Sequence, residues 1–296
     1  MNDFPRMDGK ICLVTGATSG IGLAAASALA ALGAEVAVVG RNPAKTERVA
    51  AKIRAESGNA RVEAFLADFA DLEQVRRLAA AVHERFEHLD VLVNNAGAFF
   101  LRREMTPYGV EKTFLVNHLA AFLLTNLLLE RLRAAPAARV VNVSSVAHRS
   151  AVLDLEDLAF SRGYSGMKAY ARSKLANILF TRELARREAG TALTVNALHP
   201  GVVATGIWKA GFAPVDRLAQ WGMARFALTP EEGADTLLYL ATSPEVAGVS
   251  GKYFVKRKPV MPSEAARDDA LARRLWEVSE RLTGLASAKE GGQVSA

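Results

Sequence analysis

Apolar residues along this chain fall into two rhythms that alternate from Lys10 to about Phe254. Short, nearly continuous apolar runs occupy 11–14, 35–39, 61–66, 91–94, 139–143, 194–198 and 253–255. Runs of that length without a polar face read as strands covered on both sides. Between them, 21–32, 44–56, 72–86, 110–134, 169–188 and 231–242 carry the periodicity of amphipathic helices. Strand and helix in repetition predict an α/β domain, a doubly wound parallel sheet of seven strands with helices on both faces.

No repeat of solenoid period and no Pro-, Gly- or Ser-rich linker interrupts the alternation. A single domain is therefore expected over 1–284, followed by a small, polar, frayed tail at 285–296. Two irregular stretches break the rhythm, 148–168 after the fifth strand and 206–228 after the sixth. Both follow strand carboxyl ends, where open sheets bind ligands. The second carries Trp208, Phe212, Trp221, Met223 and Phe226. These side chains either line a lipophilic pocket under a mobile lid, form the buried side of a fixed cap, or make the interface of a homo-oligomer, dimer or tetramer.

Composition narrows the function classes. Half of the 296 residues are apolar, ample for a core. The sole cysteine, Cys12, sits inside the first apolar run, which excludes disulfides and cysteine-built metal sites and leaves core packing; no metal is expected. No stretch approaches the roughly 20 apolar residues of a membrane span, so the expectation is a soluble, cytoplasmic protein. The charge of +6 is scattered along helices, which argues against a nucleic-acid partner. Its densest cluster, Lys252, Lys256, Arg257 and Lys258, is either a solvated surface segment or a contact for anionic lipid headgroups.

Two local patterns carry chemistry. In Lys10-Ile11-Cys12-Leu13-Val14-Thr15-Gly16-Ala17-Thr18-Ser19-Gly20-Ile21-Gly22, an apolar strand runs through a glycine turn into a helix. Residues without Cβ let the backbone approach a pyrophosphate, and the helix start offers unpaired N–H groups and a positive dipole end. The other reading is an ordinary glycine-containing turn. Tyr170 and Lys174 stand four apart on a helix and project from one face, a pair able to move protons, or simply an amphipathic surface. Together the two patterns point to a nucleotide-dependent oxidoreductase. After the second strand, where an acidic residue would hold the ribose hydroxyls of NAD, the sequence is Gly40-Arg41. Gly40 leaves room, and the Arg41 guanidinium suits a ribose phosphate, favouring NADP; NAD remains possible with Arg41 facing water.

Thr15-Gly16-x-x-x-Gly20-Ile21-Gly22, Asn94-Asn95-Ala96-Gly97, Ser145, Tyr170-x-x-x-Lys174 and Pro200-Gly201 occur in the order of the short-chain dehydrogenase/reductase family, which the chain resembles over nearly its whole length. Val116-Asn117-His118-Leu119, the stretch 141–148, the stretch 173–180, His199-Pro200-Gly201 and the stretch 250–254 resemble its retinol-dehydrogenase-like branch. The resemblance implies a Rossmann fold, a nicotinamide cofactor, often NADP, and a small lipophilic alcohol or carbonyl substrate. It implies a catalytic set of Asn117, Ser145, Tyr170 and Lys174. Tyr170 would be the acid and base, Lys174 would favour its phenolate and hold the nicotinamide ribose, Ser145 would hold the substrate oxygen, and Asn117 would keep a helix bend beside Lys174. It further implies cofactor contacts from Gly16, Ser19, Gly20, Ile21 and Gly22, from Arg41, from Asp68 and Phe69 at the adenine, from Asn95, Ala96 and Gly97 at the adenosine ribose, and from Pro200, Gly201, Val203 and Thr205 at the nicotinamide amide. Asp68 has a second reading as the helix N-cap before Leu72. His118, His148 and His199 fall in segments that the family uses structurally, and Asn94 is expected to brace neighbouring strands. A nucleotide-binding redox sensor without turnover is the rival from another class.

Overall fold

The computed structural model describes residues 4–203 and 228–285. The seven apolar runs become β1 (Ile11–Thr15), β2 (Glu35–Gly40), β3 (Val62–Leu66), β4 (Val91–Asn94), β5 (Arg139–Val143), β6 (Thr194–His199) and β7 (Tyr253–Val255). They lie parallel in one sheet ordered β3-β2-β1-β4-β5-β6-β7. An eighth strand, β8 (Lys258–Pro259), pairs antiparallel with β7 and extends the sheet beyond the seven expected. Its hairpin turn holds Lys256 at φ 51 and Arg257 at φ 61, a conformation that non-glycine residues adopt at a cost.

Both faces of the central strands are buried, and the strand period shows it. In β1, Cys12 and Val14 point into one core cluster while Leu13 points into the other, and none of the three is solvent-exposed. The first cluster is built with α1 (Gly20–Ala31), α2 (Pro43–Ser57) and α8 (Pro230–Thr242). The second is built with α3 (Leu72–Arg85), α5 (Ala120–Leu127), α7 (Gly166–Arg187) and α9 (Asp269–Thr283). Each leucine fully withdrawn from water there contributes roughly 1.5–3 kcal/mol. Cys12 is pure core, as expected, and burial raises its thiol pKa.

The helix predicted across 110–134 is divided. Glu111 caps it by accepting from Phe114 N, so helix begins only at α4 (Lys112–Phe114). A π turn at Leu115–Leu119 then leads into α5, and a break at Leu128 precedes α6 (Leu129–Ala134). The π turn inserts one residue into the helical count, which rotates Asn117 inward to 1% exposure. The helix α9 lies past the predicted alternation. Asp268 caps it by accepting from Leu271 N at 2.9 Å, and Gly284 ends it at φ 69.

Among the described residues no helix is long and apolar enough to cross a membrane. Thr205, the stretch 206–227 with its lid-or-cap alternatives, and the tail at 286–296 lie outside the described residues.

Candidate active site

Strand order reverses between β1 and β4, and the loops leaving their carboxyl ends meet there. Gly16 sits at φ 64, and a Cβ on it would lie 2.9 Å from Ala96 Cα. A Cβ on Gly22 would lie 2.4 Å from both Asn95 Nδ2 and Gly16 O. Gly20 has φ 55, which L side chains rarely adopt. The glycines are thus demanded by the approach of two loops. Thr15 Oγ1 locks that approach, accepting from Asn95 N and Ala96 N at 3.0 Å each and donating to Val93 O. The Asn95 side-chain amide donates to Thr15 O at 2.8 Å and to Gly16 O, so it braces the glycine turn. Asn94 braces neighbouring strands as expected, donating to Thr125 Oγ1 and Asn142 Oδ1 at 2.8 Å each.

The start of α1 suits an anion. Ser19 at its N-cap is extended and its side chain makes no capping bond, and the first turn holds no acidic residue. The helix N–H groups and dipole are therefore uncompensated where a pyrophosphate would lie. The residues present fit the dinucleotide that the fold implies.

At the end of β2 the room expected beside Gly40 is filled. A Cβ there would lie 2.4 Å from Thr18 Cγ2 and 2.4 Å from Thr46 Oγ1, so packing demands glycine. Arg41 is exposed and makes no hydrogen bond or ion pair among the described residues. Asp68 is not the cap of α3. Asp71 holds that place, accepting from Glu73 N at 2.9 Å, while Asp68 Oδ1 accepts from Ala70 N in a turn. Phe69 is buried in the same core cluster as Leu72 and Val75, so its ring supports the loop from below.

The four expected catalytic residues converge above β4 and β5. Asn117 Oδ1 accepts from Ala98 N at 2.7 Å, and its amide donates to Ala98 O at 3.0 Å and Ser173 Oγ at 2.9 Å. Ser173 Oγ in turn donates to Tyr170 O at 2.7 Å, tying the π turn to α7. Lys174 Nζ donates to Val143 O at 3.0 Å and lies 5.4 Å from the Tyr170 ring centre. A Cβ on Gly97 would stand 3.4 Å from Asn117 Oδ1 and 3.5 Å from Lys174 Nζ, which places that glycine between them. Ser145 opens the turn after β5, its Oγ accepting from Ala147 N at 3.2 Å. Ser144 Oγ bonds Lys174 O at 2.7 Å and fixes α7 against the end of β5.

Burial sets the protonation of this group. It pushes the Tyr170 phenol up to about 12, partly offset by a hydrogen bond with Ser145. It pulls the Lys174 ammonium down to about 8. Both shifts disfavour charge, as a closed, low-dielectric site must.

Pro200 and Gly201 follow β6, with Gly201 at φ 90 and Leu228 Cδ1 filling the space where its Cβ would be. Val203 is buried and bridges Leu228, so the two ends of the undescribed stretch lie side by side. A Cβ on Gly233 of α8 would lie 2.6 Å from Val203 Cγ2 and 3.2 Å from Ile21 Cγ1, so the loop after β6 packs on the start of α1. His118 and His148 are fully buried, and burial lowers the pKa of both, His118 to about 3.

The short chain dehydrogenase family profile matches residues 10–215. Human retinol dehydrogenase 14 is 42% identical over 299 residues, covering 94% of this chain and 88% of its own. A solved structure of an uncharacterized protein from Mycobacterium Paratuberculosis superposes with a TM-score of 0.78 at 36% identity, covering 96% of each chain. A short chain dehydrogenase from Shigella flexneri 2a str. 301, complexed with NADP, superposes at 0.66 with 28% identity, covering 84% of this chain and 97% of its own. With the family profile matched over more than half of its length and a retinol dehydrogenase relative 42% identical across nearly all of it, the chain belongs to the short-chain dehydrogenase/reductase family of oxidoreductases, in its retinol-dehydrogenase-like branch.

Proposed function

We propose that this protein is an NADP-dependent oxidoreductase that moves a hydride between the nicotinamide and a lipophilic alcohol or its carbonyl. The observation that carries the reading is the convergence of Asn117, Ser145, Tyr170 and Lys174 above the ends of β4 and β5, beside the cradle at the start of α1. The nicotinamide cofactor supplies the hydride or its acceptor. This chain's residues bind, orient and handle the proton.

In carbonyl reduction, Ser145 and Tyr170 hold the substrate oxygen by hydrogen bonds, and the Tyr170 hydroxyl gives its proton to that oxygen as it becomes an alcohol. A phenol held up to about 12 is protonated at neutral pH, the state this direction requires. In oxidation the tyrosine must accept the proton, and the Lys174 ammonium beside its ring favours the phenolate. Lys174 is anchored on Val143 O, and Asn117 holds the π turn that closes the site behind it.

Gly16, Ser19, Gly20, Ile21 and Gly22 would hold the pyrophosphate. Arg41 would meet a ribose phosphate, and its freedom from other partners among the described residues supports NADP over NAD. The NADP complex of the Shigella relative supports the same preference. The lipophilic substrate is supported by exposed apolar side chains around the catalytic group. Val146 follows Ser145, Met167 precedes Tyr170 by one helical turn, and Val202 follows Gly201.

The test is Tyr170→Phe, assayed with a panel of straight-chain aldehydes and alcohols by the reduced-nicotinamide signal. Turnover should vanish while NADPH affinity stays near wild type, because the ring still packs edge-on against Phe99. A variant that keeps most of the wild-type rate on its best substrate rejects the acid/base assignment.

A further inference from the structure

The turn after β5 carries Ser145, and it is held from outside by the segment that follows β8. Arg149 donates to Met261 O at 2.8 Å, and Ser263 N donates to His148 Nε2 at 3.1 Å. On its other nitrogen, His148 Nδ1 lies 2.7 Å from Ser145 O. The partners dictate the tautomer. A main-chain N–H can only donate, so Nε2 accepts, Nδ1 carries the proton, and that proton goes to the Ser145 carbonyl. His148 N–H reaches the same carbonyl at 3.2 Å, so one residue grips Ser145 O twice.

We propose that neutral His148 is a positioning residue for Ser145, coupling the 261–263 segment to the group that orients the substrate oxygen. The inference rests on the proposed role of Ser145. The imidazole has no solvent exposure, and its ring stands edge-on to Tyr253 of β7 at 5.0 Å between centres. No water competes for its bonds. The side chain therefore fixes the Ser145 main chain, while Ala147 N fixes the Ser145 hydroxyl oxygen. A second proton on His148 would set an Nε2–H against Ser263 N–H and release the 261–263 segment, leaving the turn held only by the bond to Ser145 O.

Burial above all keeps the imidazole neutral, and Arg149 on its own turn adds to it, against the opposing pull of the Ser145 carbonyl. Facing it from the other elements are His199 at the end of β6, whose own pKa burial lowers to about 4, and Tyr253 on β7, an uncharged phenol whose pKa burial raises to about 12. The link is thus intact at neutral pH and opens only in acid below the ordinary histidine range.

The test uses His148→Leu, which removes both bonds, and His148→Asn, whose amide can still donate to Ser145 O. Both are compared with wild type for kcat and KM on the best aldehyde of the panel, NADPH affinity, far-ultraviolet circular dichroism and the pH dependence of kcat. Loss of Ser145 alignment should lower kcat of the Leu variant about 100-fold with NADPH affinity near wild type. The Asn variant should recover most of that loss and should lack the acidic fall in kcat that the proposal expects of wild type. Nitrogen NMR of wild type should report the Nδ1–H tautomer. A folded Leu variant with wild-type kcat overturns the proposal, as does an Asn variant as poor as Leu, an unchanged acidic fall in Asn, or an Nε2–H tautomer. Tyr170→Phe separates the two readings: if it is dead while the His148 variants are normal, only the positioning role fails, and if it turns over normally, the catalytic reading itself is wrong.

Discussion

Cofactor choice can be tested at two adjacent residues that act by different physics. Arg41→Ala should leave the fold unchanged, since the side chain is exposed and has no partner among the described residues. It should remove a charge-assisted, two-pronged contact with the ribose phosphate worth about 1.5–3 kcal/mol. At about 1.4 kcal/mol per factor of ten, the ratio of kcat/KM for NADPH over NADH should fall roughly ten- to hundredfold. The obvious companion, Gly40→Asp, should fail alone. Its Cβ would stand 2.4 Å from Thr18 Cγ2 and Thr46 Oγ1, and Thr46 is fully buried with its hydroxyl donating to Asn42 O at 2.7 Å, in the cap of α2. Overpacking of this kind costs about 1–3 kcal/mol, a drop of several degrees in melting temperature for a chain of this size. Adding Thr18→Ala and Thr46→Ala should restore room and reveal NADH preference in the combined Arg41→Ala background. Steady-state kinetics with both cofactors and thermal melts of each variant decide. An unchanged cofactor ratio in Arg41→Ala would refute the phosphate contact, and a Gly40→Asp single variant as stable as wild type would refute the steric argument.

What the sequence disclosed and what it hid follow from the range of the interactions. Strand positions were legible because each run had to be apolar on both faces, and Cys12, Leu13 and Val14 show why: neighbours in sequence enter opposite cores. Tyr170, Lys174 and the glycine turn were legible because their geometry is local. A bend at Asn117 is expected from the family resemblance, but its π form is not legible locally, because it differs from the predicted helix by one residue, and only the partners of Asn117, namely Ala98 and Ser173, reveal why the extra residue is there. Asp68 and Asp71 compete for one cap, and the winner depends on where the loop from β3 lands. At Gly40 the small residue suggests space, whereas Thr18 and Thr46 arrive from two other segments to fill it. The signals for α9 are present in Asp268, Leu275, Trp276 and Gly284, but they lie beyond the last strand, outside the alternation of strand and helix. The histidine link escaped for the same reason as the π turn, since Ser263 is remote in sequence from His148.

Further tests follow from protonation and backbone geometry. Alcohol oxidation should speed up as pH rises, because it needs the Tyr170 phenolate and burial holds that phenol at about 12, whereas aldehyde reduction should stay level through neutrality; an acidic optimum for oxidation, in pH profiles of kcat, would contradict this. Lys256→Asn should stabilise the β7–β8 hairpin by about 1 kcal/mol, because asparagine tolerates φ 51 better than lysine, and an unchanged or lower melting temperature would count against strain there. The acid limb of stability should belong largely to His118. It is wholly buried beside the Phe114 ring with Nε2 on Ser279 Oγ at 3.1 Å, and burial holds its pKa at about 3, against 6.5 for the free group. Between those values the unfolded chain binds a proton that the folded protein refuses, so stability rises with pH across the window and is lost as pH falls from 6.5 toward 3. The loss is on the order of 4 kcal/mol at the acid end. His118→Leu removes the titrating group, and the Ser279 hydroxyl still donates to Leu275 O, so no orphan donor is created. Its denaturant-derived stability should therefore depend less steeply on pH below 6.5 than wild type does, whatever it loses at neutrality; His199, lowered by burial to about 4, and His148, also lowered by burial, contribute to the slope that remains. Equal slopes for the two proteins would show that His118 is not the group whose neutral burial the fold requires.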